Sequence, residues 1–469
     1  MRFLAACLLG FLALPASAAV LLTGYGSGDS DETARSAARQ DLAVRLQRAV
    51  VISLKTEQAR RALVDGREFP LVGVEMAKAG APSGRPSYEA RLTDASLPAY
   101  EHEAEQLAER LRKVDPARLS GEAGFAECFA WLDQHRRLAA VLRLYSKAPP
   151  EIALDEGALE RAAAGKLPAL SGPGDAAKAV GAALQRAGVS RVRVVAPVRA
   201  ENSEVTGLSG EIADDLRRTL GARASDRGAA RVLDGTYRDF DRKTLLKLFL
   251  LDVSFNTERG FVFLLPAAAT RGVRAPDSAK RLADALNRGL VRVDMSGADA
   301  AQAAGAMGVD VQTERGRRGL YYRPGDRDQL QVKLDRPGYY YIVGHVEKSG
   351  TRMSYLMEIG DPARGNRFVR QVDAKSANQW QAVGEFSVEP PVGLEAVQVF
   401  ATSENPERAL PPAKFDPSRK LYLIGTNPGE SVERTRGLVL VDMSGAQGAT
   451  APGTRRSVGE AVLYFTTLQ

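Results

Sequence analysis

The chain has 469 residues, of which 44% are hydrophobic and 26% charged, and its formal net charge is +7. This composition is typical of a globular protein with buried cores, and the length predicts about three domains. Beyond the N-terminus, no apolar stretch is long enough for a transmembrane helix. Arginine is spread along the chain with one short cluster at Arg315, Arg317 and Arg318, which favours a solvated basic surface over a polymer-binding site.

The first residues predict an export signal. Arg2 precedes an apolar stretch over residues 3–14, and the small side chains of Ala16 and Ala18 suit signal-peptidase cleavage. We therefore expect residues 1–19 to be a signal peptide and the mature protein to work in the periplasm, alone or in association with the outer membrane. A buried N-terminal strand is the weaker alternative, because charge, apolar run and small residues occur in the order that export requires.

The cysteines and histidines exclude several kinds of site. Cys7 follows a lipoprotein-like sequence, but most of the apolar run comes after it, so a lipid anchor requires translation to start further upstream. Removal of the signal leaves Cys128 alone, which excludes an internal disulfide. The histidines share no metal-ligand spacing, which argues against a zinc site. They are His102, His135 and His345.

Residues 20–115 predict a small α+β domain. Its first strand ends at a glycine turn formed by Gly24, Gly26 and Gly28. Because residues 50–54 are rich in β-branched side chains, they predict a strand directly after the first helix. The predicted strands are residues 20–22, 50–54 and 88–92, and the predicted helices lie over residues 34–49 and 97–114.

Residues 116–174 predict a strong amphipathic helix over 125–145, followed by an Ala- and Gly-rich connector. Residues 175–300 predict an α/β domain in which Ser209 can cap a helix. Its last predicted strand is a leucine-rich run whose composition is also compatible with a helix. The predicted strands are residues 192–198, 232–237 and 245–255, and the predicted helices are residues 176–187, 209–220 and 278–290.

Residues 301–469 predict an antiparallel β-sandwich, because short strand-like segments are separated by Pro and Gly. Leu330, Val332 and Leu334 alternate with polar residues that include Lys333, which predicts one buried and one wet face. The strand-like segments are residues 329–334, 339–346, 353–359, 384–388, 396–401 and 461–466. The sequence of residues 290–298 is nearly repeated at residues 438–446.

Three regions resemble bacterial envelope families. The Gly-Tyr-Gly and Ala-Ala-Arg motifs of residues 24–39 are similar to the N-terminal domain of flagellar assembly protein T and related small outer-membrane lipoproteins, without their lipidated cysteine. Residues 192–220 resemble the α/β domain of curli-secretion lipoproteins, flagellar outer-membrane proteins and the translocation protein TolB. Residues 322–326, 334–341 and 389–393 resemble an envelope domain of unknown function. The resemblances imply envelope proteins as partners and carry over no functional residue.

Interpretations that require catalysis or a cofactor find little support. Gly24, Gly26 and Gly28 fit only part of the dinucleotide-binding pattern, whose sixth position is Asp29 here, and an acidic helix start would repel phosphate. No nucleophile elbow or triad motif accompanies the histidines, and Cys128 lies on an apolar helix face where a thiol is usually inert. We therefore predict no catalytic residue, no cofactor and no metal.

Three consecutive tyrosines form a candidate partner contact, namely Tyr339, Tyr340 and Tyr341. Adjacent strand residues point to opposite faces, so at least one ring should point outward, where it can contact a sugar or a protein. Completion of the sandwich core is the favoured alternative. Asp214 and Asp215 are neighbours on a helix and diverge, so they cannot act together on one bond.

The sequence as a whole predicts an α+β multidomain protein, in which two small α/β or α+β domains precede an antiparallel β-sandwich. We expect a non-enzymatic accessory or scaffold protein in the assembly or secretion of a cell-envelope or surface structure. The alternative is a binding module for peptidoglycan or another anionic envelope polymer, and a third hypothesis is a hydrolase with an unrecognised site. Nucleic acid is not expected as a partner because the protein is exported.

Overall fold

The computed structural model has an α+β fold, as the sequence predicts. The signal peptide, the predicted helix over 278–290 and both copies of the repeated segment lie outside the residues that it describes. The described residues are 20–53, 68–80, 85–200, 205–225, 229–240, 243–266, 307–348, 351–360, 367–388, 393–425 and 457–468.

The N-terminal module is a three-stranded antiparallel sheet covered by helices. Strands β1 (Val20–Ser27), β2 (Glu75–Lys78) and β3 (Ser87–Thr93) lie in the order β1-β3-β2. Helix α1 (Asp31–Ser53) packs on β1 and β3, and helix α2 (Leu97–Arg112) completes the same core. The strand predicted over 88–92 and the helix predicted over 97–114 are confirmed.

The glycine turn predicted after the first strand is wrong, because Gly24 and Gly26 lie within β1. A Cβ atom at Gly24 would stand 2.3 Å from the backbone nitrogen of Leu42, and one at Gly26 would stand 2.1 Å from that of Ala38. The glycines therefore let the backbone of α1 lie directly against the strand. Their role is close helix–strand packing, which also removes the basis of the nucleotide-binding interpretation.

The strand predicted over 50–54 is also wrong, since α1 continues to Ser53. Leu46 and Val50 are fully buried and extend the apolar face of α1 by one more turn. Burial against the core outweighs the weak preference of β-branched side chains for strands.

The predicted connector after residue 145 contains a helix. Helix α3 (Gly121–Leu144) confirms the amphipathic helix and starts four residues earlier than predicted. Helix α4 (Glu156–Lys166) follows, and the Asp155 carboxylate caps it by accepting the backbone N–H groups of Gly157 and Ala158. Leu159 of α4 shares a core with α3, so this part of the chain is packed against its neighbours.

The middle module has a five-stranded sheet. Its strands are β4 (Val192–Val194), β5 (Val198–Arg199), β6 (Arg231–Phe240), β7 (Lys243–Leu251) and β8 (Thr257–Pro266). The order is β4-β6-β7-β8, with β4 and β5 parallel to β6 and the remaining pairs antiparallel. The sequence does not predict strand β8, and the strand predicted over 192–198 is divided into β4 and β5.

Helices cover both faces of this sheet. Helices α5 (Pro173–Arg186) and α6 (Gly207–Leu220) pack on one face, and α3 and α4 pack on the other. Strand β7 is therefore buried on both sides, which explains its continuous leucine-rich sequence. Thr206 caps α6 with its side chain, and Ser209, the predicted cap, is the reciprocal member of the capping box.

The C-terminal sandwich pairs a three-stranded sheet with an eight-stranded sheet, which confirms the β-rich prediction for this region. The smaller sheet has the order β15-β11-β9 and the larger one runs β10-β19-β16-β12-β13-β18-β17, with β14 beside β12. Their bounds are β9 (Val309–Thr313), β10 (Tyr321–Tyr322), β11 (Arg327–Leu334), β12 (Gly338–Lys348), β13 (Thr351–Leu356), β14 (Arg370–Val372), β15 (Gln381–Ser387), β16 (Gly393–Thr402), β17 (Lys414–Asp416), β18 (Leu421–Gly425) and β19 (Val458–Thr467).

Candidate functional site

The three tyrosines proposed as a partner contact are mostly inside the sandwich. Tyr340 and Tyr341 are 0% and 1% exposed, whereas Tyr339 is half-buried. Tyr340 lies in the core between the two sheets, and Tyr341 stacks on Phe400 with ring centroids 5.0 Å apart. The side chains alternate between the two faces of the strand as expected, but the outer face of the larger sheet carries a second small hydrophobic core. Of the three rings, only Tyr339 is accessible to a partner.

Each histidine has a hydrogen-bond partner, and two of the three are buried. His102 is exposed beside Gln106, and the His135 ring donates from Nε2 to the carbonyl oxygen of Pro150 at 3.1 Å. His345 is 0% exposed, with Nδ1 2.8 Å from the Ser354 hydroxyl and Nε2 2.9 Å from Gln398 Oε1. Burial lowers the pKa of His345 to about 4, so the ring is neutral at pH 7. Solvent has no access to this hydroxyl–imidazole pair.

The remaining thiol and the paired aspartates have structural environments. Cys128 is buried, and burial raises the pKa of its thiol to about 12, which leaves it unreactive. Asp215 pairs with Arg218 at 2.7 Å, and Asp214 pairs with Arg323 at 2.8 Å. The two carboxylates therefore face different partners, as the sequence suggests. Within the described residues, no group of three or more Asp, Glu, His or Cys side chains could hold a metal ion.

Lys333, predicted on a wet face, is instead 3% exposed and lies between two modules. Its ammonium pairs with the carboxylate of Asp41 on α1, lies 3.9 Å from Asp310 and sits 5.1 Å from the centre of the Trp380 ring. Asp41 also accepts the guanidinium of Arg45 at 3.0 Å. This arrangement joins the N-terminal module to the smaller sheet of the sandwich, and the alternation rule failed because a second module covers that face.

A second buried cluster joins all three modules. The Arg318 guanidinium of the sandwich lies 2.9 Å from Glu68 of the N-terminal module and 3.1 Å from Asp234 on β6. Arg193 on β4 approaches Glu68 at 3.8 Å. Burial alone would raise the pKa of Glu68, but the charges of Arg318 and Arg193 outweigh it and lower that pKa. We call the Lys333–Asp41 pair and this cluster together the charge junction.

The side chains of the short arginine cluster therefore contact acidic residues of the protein. Besides Arg318, Arg317 lies 3.6 Å from Asp310, and Arg315 lies 3.4 Å from Asp326. The solvated basic surface predicted from the spread of arginines therefore does not extend to these three residues, because acidic partners from their own and neighbouring modules pair with them. These contacts also leave the cluster poorly placed to bind an anionic polymer.

A second contact links the middle module to the sandwich. Tyr321 donates its hydroxyl to the Asp214 carboxylate of α6, and Arg323 pairs with the other oxygen of the same carboxylate. A Cβ atom at Gly210 of α6 would stand 2.7 Å from the Leu468 side chain, so the helix lies directly against the end of β19. Polar and apolar contacts therefore share this boundary.

The opposite edge of the sandwich exposes one aromatic ring. Phe415 on β17 is 46% exposed, and Val253 at 40% is the other large exposed hydrophobic side chain among the described residues. Tyr422 on β18 contacts Phe415 and Phe368, with ring centroids 4.9 Å apart in both pairs. Arg367 donates a hydrogen bond to the Tyr422 hydroxyl. We call Phe368, Phe415 and Tyr422 the aromatic edge.

Comparisons with known proteins identify no family. No protein-family model matches the chain, and no curated protein matches it. Among solved structures, a secreted protein from the human pathogen Helicobacter pylori aligns with 59% of this chain and 98% of its own, at 13% identity and a TM-score of 0.23. That likeness is too weak to indicate a shared fold or function. No helix in the described part of the chain is long and apolar enough to cross a membrane.

Proposed function

We propose that the protein is a non-enzymatic accessory or scaffold of the bacterial cell envelope, which acts in the periplasm in the assembly or secretion of a surface structure. The observation that carries this proposal is the charge junction. It gives the chain a defined arrangement of three modules, which is what a scaffold must supply to its partners.

Buried ion pairs specify geometry more than they add stability. Moving a charged group out of water costs several kcal/mol. The attraction between the paired charges inside the protein is of about the same size. A shifted arrangement of the modules would leave Glu68, Lys333 or Arg318 buried without its partner. Such an arrangement is strongly disfavoured, so the junction selects one relative placement of the modules.

The export signal supports the periplasmic part of this proposal, and the family resemblances support the role in envelope assembly. Packing accounts for the buried side chains of Tyr340, Tyr341, His135, His345 and Cys128, which is consistent with a protein that works through its surface. Partners are therefore expected to be other envelope proteins.

Crosslinking in intact cells tests the proposal. The tagged full chain is expressed, crosslinked, fractionated and purified under denaturing conditions. We expect periplasmic or outer-membrane fractions to contain the protein with one or a few envelope proteins in near-stoichiometric amounts. Recovery of the protein alone would contradict the proposal.

A pair of variants links the result to the junction. Lys333→Ala removes a buried ammonium, and Lys178→Ala removes an exposed one on α5. Partner recovery should fall for Lys333→Ala and remain for Lys178→Ala at equal protein levels. Equal recovery for both variants would show that the arrangement of the modules does not matter to the partner.

A further inference from the structure

The N-terminal and middle modules share one helix and therefore one continuous interior. The second half of α3, including Leu138 and Leu142, lies in the core of the N-terminal module, whereas its first half, including Phe125 and Phe129, packs on the five-stranded sheet. In the other direction, Phe255 from the turn between β7 and β8 is 5% exposed and belongs to the core of the N-terminal module. We call these two modules with their shared helix, over residues 20–266, the two-module body.

The same turn is held by hydrogen bonds from both sides. The buried Arg137 guanidinium of α3 donates to the carbonyl oxygens of Glu68 at 3.1 Å and Phe255 at 2.6 Å, and the backbone N–H of Leu71 donates to the carbonyl oxygen of Ser254 at 2.8 Å. Phe255 has a φ of 61°, a conformation that a bulky side chain rarely adopts, so these contacts outweigh a local backbone cost. The two-module body therefore cannot divide without losing a core and its hydrogen bonds.

The sandwich meets this body in a different way. Four ion pairs between them share one direction, with the cation on the sandwich and the carboxylate on the two-module body. They are Lys333–Asp41, Arg318–Glu68, Arg318–Asp234 and Arg323–Asp214. The apolar contribution is smaller, since the sandwich adds Tyr321 and Leu468 to the core of the middle module. Opposite charges, more than a shared core, hold this boundary.

The backbone also divides at this boundary. Each described sheet lies wholly on one side of it, so no strand ladder joins the sandwich to the two-module body. The loop between β9 and β10 reaches across, and a Cβ atom at Gly319 would stand 2.7 Å from the Val195 side chain and 2.9 Å from the carbonyl oxygen of Ala196. This loop belongs entirely to the sandwich, so it can leave the two-module body together with it.

We propose that the sandwich is a separately folded body that docks reversibly on the two-module body, so that the chain has a closed form and an open form. Charges of opposite sign on the two faces guide the docking, because complementary charges attract over a distance and disfavour other orientations. The proposal deepens the proposed function by assigning the charge junction to the control of a scaffold. Its test uses the purified chain without a partner, so its failure and the failure of the envelope role are distinguishable.

Cleavage between the two bodies tests the proposal. A recognition sequence for a specific protease is inserted within residues 267–306 of the full chain, and the cut protein is analysed by size-exclusion chromatography and circular dichroism. The wild-type pieces should elute together. Arg318→Glu places a third carboxylate beside Glu68 and Asp234, so its pieces should associate at least about 100-fold more weakly and elute separately, with their secondary structure retained.

Arg327→Glu is the matched control, because it reverses an exposed arginine at the start of β11 in the same sandwich. Its pieces should elute together as in the wild type. Arg323→Glu changes a side chain that is 47% exposed and therefore leaves the cores intact, and it should weaken the association by a smaller factor than Arg318→Glu.

Three results would overturn the proposal. Wild-type pieces that separate without a substitution would show that the charges do not hold the closed form. Pieces that lose their secondary structure on separation would show that the sandwich and the two-module body are one indivisible fold. Equal association in Arg318→Glu, Arg323→Glu and Arg327→Glu would show that the ion pairs do not guide docking.

Discussion

The charge junction and the aromatic edge reverse the usual distribution of side chains. At the junction, Lys333 and Asp41 are almost completely buried between modules, while at the edge Phe415 is half in water. Soluble proteins generally bury the second kind of residue and expose the first. Each exception requires its own explanation. At the junction the charges pair with one another across modules, whereas at the edge the Phe415 ring contacts Tyr422 and remains 46% exposed.

This difference separates residues that stabilise the fold from residues that are exposed on its surface. Substitutions at the junction should change stability and the placement of modules. Substitution of Phe415 at the edge should leave stability almost unchanged. The variants below test that division, from the largest expected effect on stability to the smallest.

Lys333→Ala should have the largest effect. It removes the ammonium between Asp41 and Asp310 and leaves buried carboxylates with fewer opposite charges. Loss of one partner from a buried ion pair costs about 3–5 kcal/mol. Chemical denaturation followed by circular dichroism measures the effect. A loss below about 1 kcal/mol, the range of a surface pair, would mean that the ammonium is effectively solvated.

A buried imidazole should give a comparable effect that depends on pH. His345 faces Ser354 and Gln398, with Glu460 beyond the Gln398 amide. Burial lowers its folded-state pKa to about 4, from the usual 6.5. The unfolded chain therefore binds the proton more readily, and stability is lost as the pH falls from about 6.5 towards 4, by on the order of 3 kcal/mol.

The measurement is the midpoint of urea denaturation between pH 7.5 and 4. His345→Gln should flatten the curve in this window, and His102→Gln, which changes an exposed ring, should keep the wild-type slope. A wild-type slope in the His345 variant would assign the acid sensitivity to other groups. At the junction, by contrast, opposite charges lower the pKa of Glu68 and keep that buried group ionised.

Gly24→Ala should have an intermediate effect. The added methyl group would meet the backbone of α1 at Leu42, and neither the strand nor the helix can move without disturbing the core. Overpacking of this kind costs about 1–3 kcal/mol. Gly80→Ala is the control, since nothing lies within 4 Å of a Cβ atom there. Equal melting temperatures for the two variants would show that α1 does not lie directly on β1.

Phe415→Ser should have the smallest effect on stability, within about 0.5 kcal/mol, because the ring is already half exposed. Its measurable consequence should be higher solubility and lower binding of hydrophobic dyes. A destabilisation of several kcal/mol would show that the ring contributes to the core.

The sequence predicts elements well where one local rule applies. The helices over 97–114 and 125–145 and six strands of the sandwich follow from periodicity and from the Pro and Gly residues between segments. The leucine-rich run at β7 was predicted as a buried strand, and helices on both faces of its sheet explain why it lacks alternation.

The errors occur where distant parts of the chain meet. Lys333 was predicted on a wet face because its strand alternates, but α1, about 290 residues earlier in the chain, covers that face. Gly24 and Gly26 have the composition of a turn, and only the approach of α1 explains them. The pairing of Arg318 with Glu68 and Asp234 leaves no signal in one sequence, because it joins residues from three modules.

A distance between modules tests the fixed arrangement directly. Cysteines introduced at the exposed residues Glu32 on α1 and Glu385 on β15 can carry spin labels, while the buried Cys128 thiol stays unreactive. Pulsed electron paramagnetic resonance then gives the distribution of distances between the N-terminal module and the sandwich. A single narrow distribution in the wild-type background, broadened by Lys333→Ala, is the expected result. A broad distribution without that substitution would show that the charge junction does not hold the modules together.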